Sequence, residues 1–229
     1  MKWKVKEGRK RAFIVLLVLC GAFNLHAQKI SENLSDFKEV KTFNAVEVVV
    51  IPSEKNYIEI TGHSKEKVKF DIVEDRLEIR MSFDNIWSKD NTLIKVYGRS
   101  IETIDANEAS LVQVDGILEG EEKTFRAQEG ARILARVAAK KVISKAISGG
   151  LLEIEGKAET QEVQINSGGQ YFGKNLRTRE TVISCTTAGR GEIYATNYCK
   201  ATAKLAGTIE IFGRPNEVDQ KTVLGGKIF

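Results

Sequence analysis

The chain has 229 residues, 42% of them hydrophobic and 29% charged, with three cysteines, two histidines and a formal net charge of +4. Six of the 35 Lys and Arg but only one of the 31 Asp and Glu fall in the first 27 residues, so the remainder nets −1. That removes the electrostatic case for a nucleic-acid or anionic-membrane partner. One histidine and two cysteines beyond residue 27 also leave little material for a His-based triad or a zinc cluster.

In chain order, Lys2, Lys4, Lys6, Arg9, Lys10 and Arg11 precede the apolar run Ala12 to Leu19, and Leu25-His26-Ala27 offers a small residue for cleavage. This is the layout of a secretory signal peptide over residues 1–27, too short to span a bilayer. Cys20 is a second candidate processing point as a lipid-attachment cysteine, but the bulky Leu19 before it fits that chemistry less well than cleavage after Ala27. The expectation is an exported chain, in the periplasm, on the outer-membrane surface or outside the cell, with no transmembrane segment after cleavage.

Residues 28–42 are polar and read as a linker. From Phe43 onward apolar residues alternate: Val46, Val48, Val50; then Ile58, Ile60; then Val68, Phe70, Ile72; then Leu77, Ile79, Met81. Period-2 spacing over short runs broken by turn-like Pro52-Ser53-Glu54 and Glu74-Asp75-Arg76 predicts β-strands. Trp87 lies in a polar loop, as a contact anchor or as part of a cap. Residues 43–106 are expected to form the cap and opening coils, because an uncovered first coil would expose a strand edge.

A repeat governs residues 107–229. Ser110, Ala131, Gly150, Gly169, Gly191, Gly207 and Gly226 each sit in a small-residue turn, about 19 residues apart on average. Two positions later come Val112, Ile133, Leu152, Tyr171, Ile193, Ile209 and Ile228, an apolar or aromatic column. Residues 121–146 have a helix-favouring Ala/Lys/Glu composition, but the repeat overrides it. Units this short bury an apolar side only by stacking on their neighbours. The predicted fold is therefore all-β: a single-stranded β-helix, or solenoid, with coils of about 19 residues and an N-terminal strand cap, over residues 43–229.

Ser148-Gly149-Gly150-Leu151-Leu152-Glu153-Ile154, Ser167-Gly168-Gly169 and Gly225-Gly226-Lys227-Ile228 resemble the glycine beat of the DUF2807 family, described as a putative auto-transporter adhesin, head GIN domain. Phe43-Asn44-Ala45-Val46-Glu47-Val48 and Tyr57-Ile58-Glu59-Ile60 are similar to its entry strands. Glu129-Gly130-Ala131 and Leu205-Ala206-Gly207 depart from the beat. The resemblance implies a β-helical exported domain for which adhesion is the proposed role, and it brings no catalytic residues.

No catalytic, metal or cofactor-binding residues emerge from the sequence. His63 sits in a Gly62-His63-Ser64 turn, and Cys185 and Cys199 lack zinc spacing; Cys185 faces the core in register with Ala203 and Ile165. Both thiols are expected to be unpaired. The outward columns read Leu134, Glu153, Phe172, Tyr194, Glu210, Phe229 and Arg136, Glu155, Lys174, Thr196, Phe212. They suggest a Glu155–Lys174 pair between coils and an exposed aromatic face of Phe172, Tyr194 and Phe212. The reading is a non-catalytic structural or adhesion-type domain binding a glycan or an envelope protein, with homo-oligomerisation open. The alternative is a polysaccharide-active enzyme, a lyase or hydrolase on the same scaffold.

Overall fold

The computed structural model describes residues 29–82 and 91–229. The expected signal peptide, Cys20 and Trp87 lie outside these residues. Among the described residues the secondary structure is strand throughout, apart from a single 3-10 turn at Lys65–Lys67, and no helix is long and apolar enough to cross a membrane.

The expected linker is in fact structured. Strand β1 spans Ile30–Asn33 and β2 Glu39–Phe43, with Phe37 and Val40 buried. Strand β2 and β3 (Glu47–Pro52) form the first rung. The chain then leaves the stack through β4 (Tyr57–Thr61), β5 (Val68–Val73), β6 (Arg76–Met81) and β7 (Leu93–Gly98). It rejoins at β8 (Thr103–Ala106) and β9 (Leu111–Val114), which lie parallel to β2 and β3 on their other side.

The excursion supplies the cap. Strands β6 and β7 lie parallel on the outer edges of β2 and β3. Then β5 pairs antiparallel with β6, β4 with β7, and β1 with β4. Antiparallel strands running across the end turn the open edge of a parallel stack into a closed one. Tyr57 and Tyr97, opposite each other on β4 and β7, stack at 3.9 Å between ring centroids.

From β8 onward the coil is regular. The long strands β10 (Leu118–Gln128), β11 (Arg132–Ile147) and β12 (Leu151–Asn166) each bend through a corner and so serve two faces. They pair in parallel register, Ile133 with Leu152 and Ala146 with Ile165. Above them come β13 (Gln170–Phe172), β14 (Leu176–Arg177), β15 (Glu180–Cys185), β16 (Arg190–Tyr194), β17 (Tyr198–Lys204), β18 (Thr208–Phe212), β19 (Glu217–Val223) and β20 (Lys227–Ile228), again parallel rung on rung. Strand composition here, in a stretch rich in helix formers, shows tertiary pairing overriding propensity.

Each rung closes through the same turn. Two consecutive residues have positive φ at Asn44-Ala45, Glu108-Ala109, Glu129-Gly130, Ser148-Gly149, Ser167-Gly168, Thr187-Ala188, Leu205-Ala206 and Leu224-Gly225. That is the type I′ dihedral pattern. The turns are bonded to one another along the axis: the second residue's N–H donates to the first residue's carbonyl in the next rung, as Gly130 to Ser148, Gly149 to Ser167 and Gly168 to Thr187, at 2.9–3.1 Å.

The register corrects one reference point. Arg190 pairs with Gln170 and Thr208, so the turn residue equivalent to Gly169 and Gly207 is Gly189, not Gly191. Gly191 itself occupies the inward column between Tyr171 and Ile209. A Cβ there would lie 2.7 and 2.8 Å from Cδ1 of Ile183 and Ile165, which fill the space that a larger side chain takes in other rungs. The corner at 173–179 lengthens this rung by one residue, with three residues between Phe172 and Leu176 where the rung below has two between Glu153 and Gly156.

Candidate interaction face

The outward face of the last four rungs carries the aromatic residues singled out by sequence, in a different arrangement. Phe172 pairs with Glu153 and Glu192, not with Tyr194. Tyr194 pairs with Phe212 on the adjacent strand. Phe172 and Tyr194 are half-buried and Phe212 is exposed. Thus Tyr194 and Phe212 form one neighbouring pair, and Phe172 stands apart, separated by Glu192. The suggested Glu155–Lys174 pair is also replaced: Glu155 faces Arg136 at 3.8 Å, and Lys174 faces Glu192 at 3.5 Å.

The charged residues between the aromatics form one connected group. Arg190 Nη2 donates to Glu192 Oε1 and to Glu210 Oε1, both at 3.0 Å, bridging two rungs. Glu192 is almost wholly buried, and its Oε2 makes no hydrogen bond but faces the Lys174 ammonium. The exposed Arg190–Glu210 pair contributes only about 0–1 kcal/mol, so its part in the group is orientation more than stability. Arg177 lies over Tyr194, Cζ 5.4 Å from the ring centroid, and its Nη1 donates to Tyr194 Oη at 3.4 Å. The sequence offered no signal for this contact, because it crosses from one corner of the coil to the next rung.

Beneath this face a polar cluster fixes the strand that presents it. Tyr171 Oη donates to Gln161 Oε1 at 2.8 Å, and Gln161 Nε2 donates to Thr178 Oγ1, Thr181 Oγ1 and the Tyr194 carbonyl at 3.0–3.2 Å. Burial drives the Tyr171 phenol well above its usual range, so it stays a neutral donor. Buried polar groups joined in this way specify one arrangement, since each lost partner leaves an unpaired group inside.

A second concavity, a cleft of about 870 Å³, runs between Ser53–Glu54, Gly98–Thr103 and Ile117–Thr124. Its feature is Lys123, buried in the inward column below Val142 and donating to the Ile101 carbonyl at 2.6 Å. Burial pulls the Lys123 ammonium below its usual range, opposed by the nearby Glu102. Alternation alone would not place a lysine inward, so sequence reading missed it. Among the described residues no group of three or more His, Cys, Asp or Glu is placed to hold a metal ion.

Cys185 and Cys199 are both buried and unpaired, Cys185 in register with Ile165 and Ala203 and Cys199 with Thr181. Burial pushes the Cys199 thiol up to about 11, which suppresses the nucleophilic thiolate at neutral pH. His63 is exposed in its turn.

Three solved structures share this architecture. A putative adhesin from Bacteroides fragilis superposes with a TM-score of 0.79 at 15% identity, covering 88% of this chain and 95% of that one. One from Parabacteroides merdae gives 0.66 at 17% identity, with the same coverages of 88% and 95%. A protein described as a putative lipid binding protein, from Parabacteroides distasonis, gives 0.67 at 12% identity, again over 88% and 95%. At these identities the likeness concerns the fold. No curated protein matches the sequence. The sequence signature of one family does match, over residues 36–215: the chain belongs to the DUF2807 family, whose members are described as "Putative auto-transporter adhesin, head GIN domain".

Proposed function

We propose that this protein is an exported, envelope-associated adhesion domain that binds a glycan on the outward face of its C-terminal rungs, without catalysing a reaction. Family membership and the adhesin descriptions of its structural neighbours support the adhesive class. The observation that carries the choice of face is the Tyr194–Phe212 pair on adjacent strands, flanked by the Arg190–Glu192–Glu210 group. Aromatic side chains on neighbouring strands, whose backbones lie about 4.8 Å apart, offer an apolar platform to a pyranose face, and the fixed carboxylates and guanidinium beside them offer hydrogen bonds to hydroxyls.

The basic and apolar start of the chain, Lys2 to Ala27, supports export. The test is a glycan array and an envelope-fraction pull-down with the native chain, Tyr194→Ala and Phe212→Ala. A bound glycan whose affinity falls about tenfold or more in either variant supports the reading. Equal binding by all three moves the site elsewhere, and retention only by envelope proteins makes the ligand a protein. Release of reducing ends from uronate-rich polymers, with a calcium-dependent thermal shift, would replace adhesion with the polysaccharide-active alternative.

A further inference from the structure

The two ends of the stack are built differently. At the first rung, β4, β5 and β1 close the edge in antiparallel fashion. At the last rung, β19 pairs with β17 and β20 with β18, and neither has a second strand neighbour among the described residues. Residues Glu217 to Thr222 are all exposed. Leu224 and Phe229, at 73% and 71% exposure the most exposed large hydrophobic residues described, also belong to this rung. A seven-residue parallel edge rimmed by apolar side chains is a template for another strand.

Two hydrogen bonds fix which groups are free. Glu217 N–H donates to the Asn197 carbonyl at 3.0 Å, and the Val223 carbonyl accepts from Leu205 N–H at 3.1 Å. In a parallel ladder alternate residues turn both backbone groups to the same neighbour, so Glu217, Asp219, Lys221 and Val223 are committed to β17. Val218, Gln220 and Thr222 therefore aim N–H and C=O at the open edge.

We infer that this edge pairs with the same edge of a second copy of the chain, antiparallel, about a two-fold axis through Gln220. In that register Gln220 faces its own copy and Val218 faces Thr222 of the second copy, so every edge-directed residue exchanges both its bonds. Asp219 then stands opposite Lys221 of the second copy, and the symmetry makes this pair twice. Moving the axis to Lys221 sets Lys221 against Lys221 and leaves Asp219 opposite Val223, whereas moving it to Asp219 keeps two unlike pairs, Glu217 with Lys221, but adds the repulsion of Asp219 against Asp219. The inward parity is kept as well: Val218, Gln220 and Thr222 continue the column of Cys199, Ala201 and Ala203, so the two interiors meet end to end.

Sedimentation velocity on the purified full-length chain over a concentration series tests this. A monomer–dimer equilibrium is expected. Lys221→Asp sets carboxylates opposite each other while leaving the internal Lys200–Asp219 pair at 3.7 Å untouched, and it should weaken dimerisation by about tenfold or more. The double exchange Asp219→Lys, Lys221→Asp restores unlike charges and should recover most of the affinity. Superposable far-ultraviolet circular dichroism spectra of all three chains will show that the fold is intact, the double exchange giving up the internal Lys200–Asp219 pair as well. A native chain that stays monomeric, a Lys221→Asp chain that dimerises as tightly as the native one, or a double exchange without recovery overturns the inference.

Discussion

Gly149 and Gly150 are neighbours in one turn, yet different physics holds each. Gly149 has φ +74, and a Cβ there would meet nothing within 4 Å. Alanine already occupies the equivalent position at Ala109, Ala188 and Ala206, with φ of 58, 58 and 62. Gly150 has an ordinary φ, but its Cβ would stand 2.0 Å from the Ala127 carbonyl oxygen of the rung below. Gly149→Ala should therefore cost only the left-handed penalty, about 1 kcal/mol. Gly150→Ala has to displace backbone and should cost about 3 kcal/mol, the upper end for overpacking. Urea midpoints of the two variants separate these cases, and equal losses would contradict the distinction.

At the scale of the strand, burial is graded along the stack. Leu152, on β12, is fully buried between Ile133 and Tyr171, whereas Ile228 on β20 has a neighbouring rung on one side only and is half-buried. Leu152→Ala should cost about 2–5 kcal/mol, and Ile228→Ala less than about 1 kcal/mol, both read from urea unfolding. This same stacking made most strands legible in advance, because a column repeats its character and a tight turn needs small residues at a fixed place. The legible part stops where the repeat does. Taking Gly191 for Gly189 shifts the alignment by two residues, and a period-2 pattern keeps every side chain facing the right way under such a shift. Inward and outward assignments are therefore right while the neighbours are not, and the shifted alignment sets Phe172 beside Tyr194 in place of Glu192. Strand β2 escaped notice in the supposed linker because Val40 and Thr42 point inward within a polar run, and Thr42 is fully buried. Lys123 escaped because nothing local marks a cation for the interior.

Over the whole molecule, stability is close to a sum of rung and rung-to-rung terms, since each coil touches only its neighbours. The long strands β11 and β12 have a rung on both sides over their length, and the last rung has one on a single side. Amide hydrogen exchange should accordingly be slowest in β11 and β12 and fastest in β19 and β20, with a monotonic gradient between; uniform protection to the last strand in a monomeric sample would contradict it. The hydrogen-bonded row of turns has a mechanical consequence. A load applied along the coil axis at the last rung meets one rung's bonds at a time, so the chain peels instead of shearing as a block. Each release frees one coil of about 19 residues, roughly 65 Å of slack. A protein that tethers two surfaces through such a coil yields in small, repeatable lengths and keeps its remaining rungs intact, a spring with discrete stops.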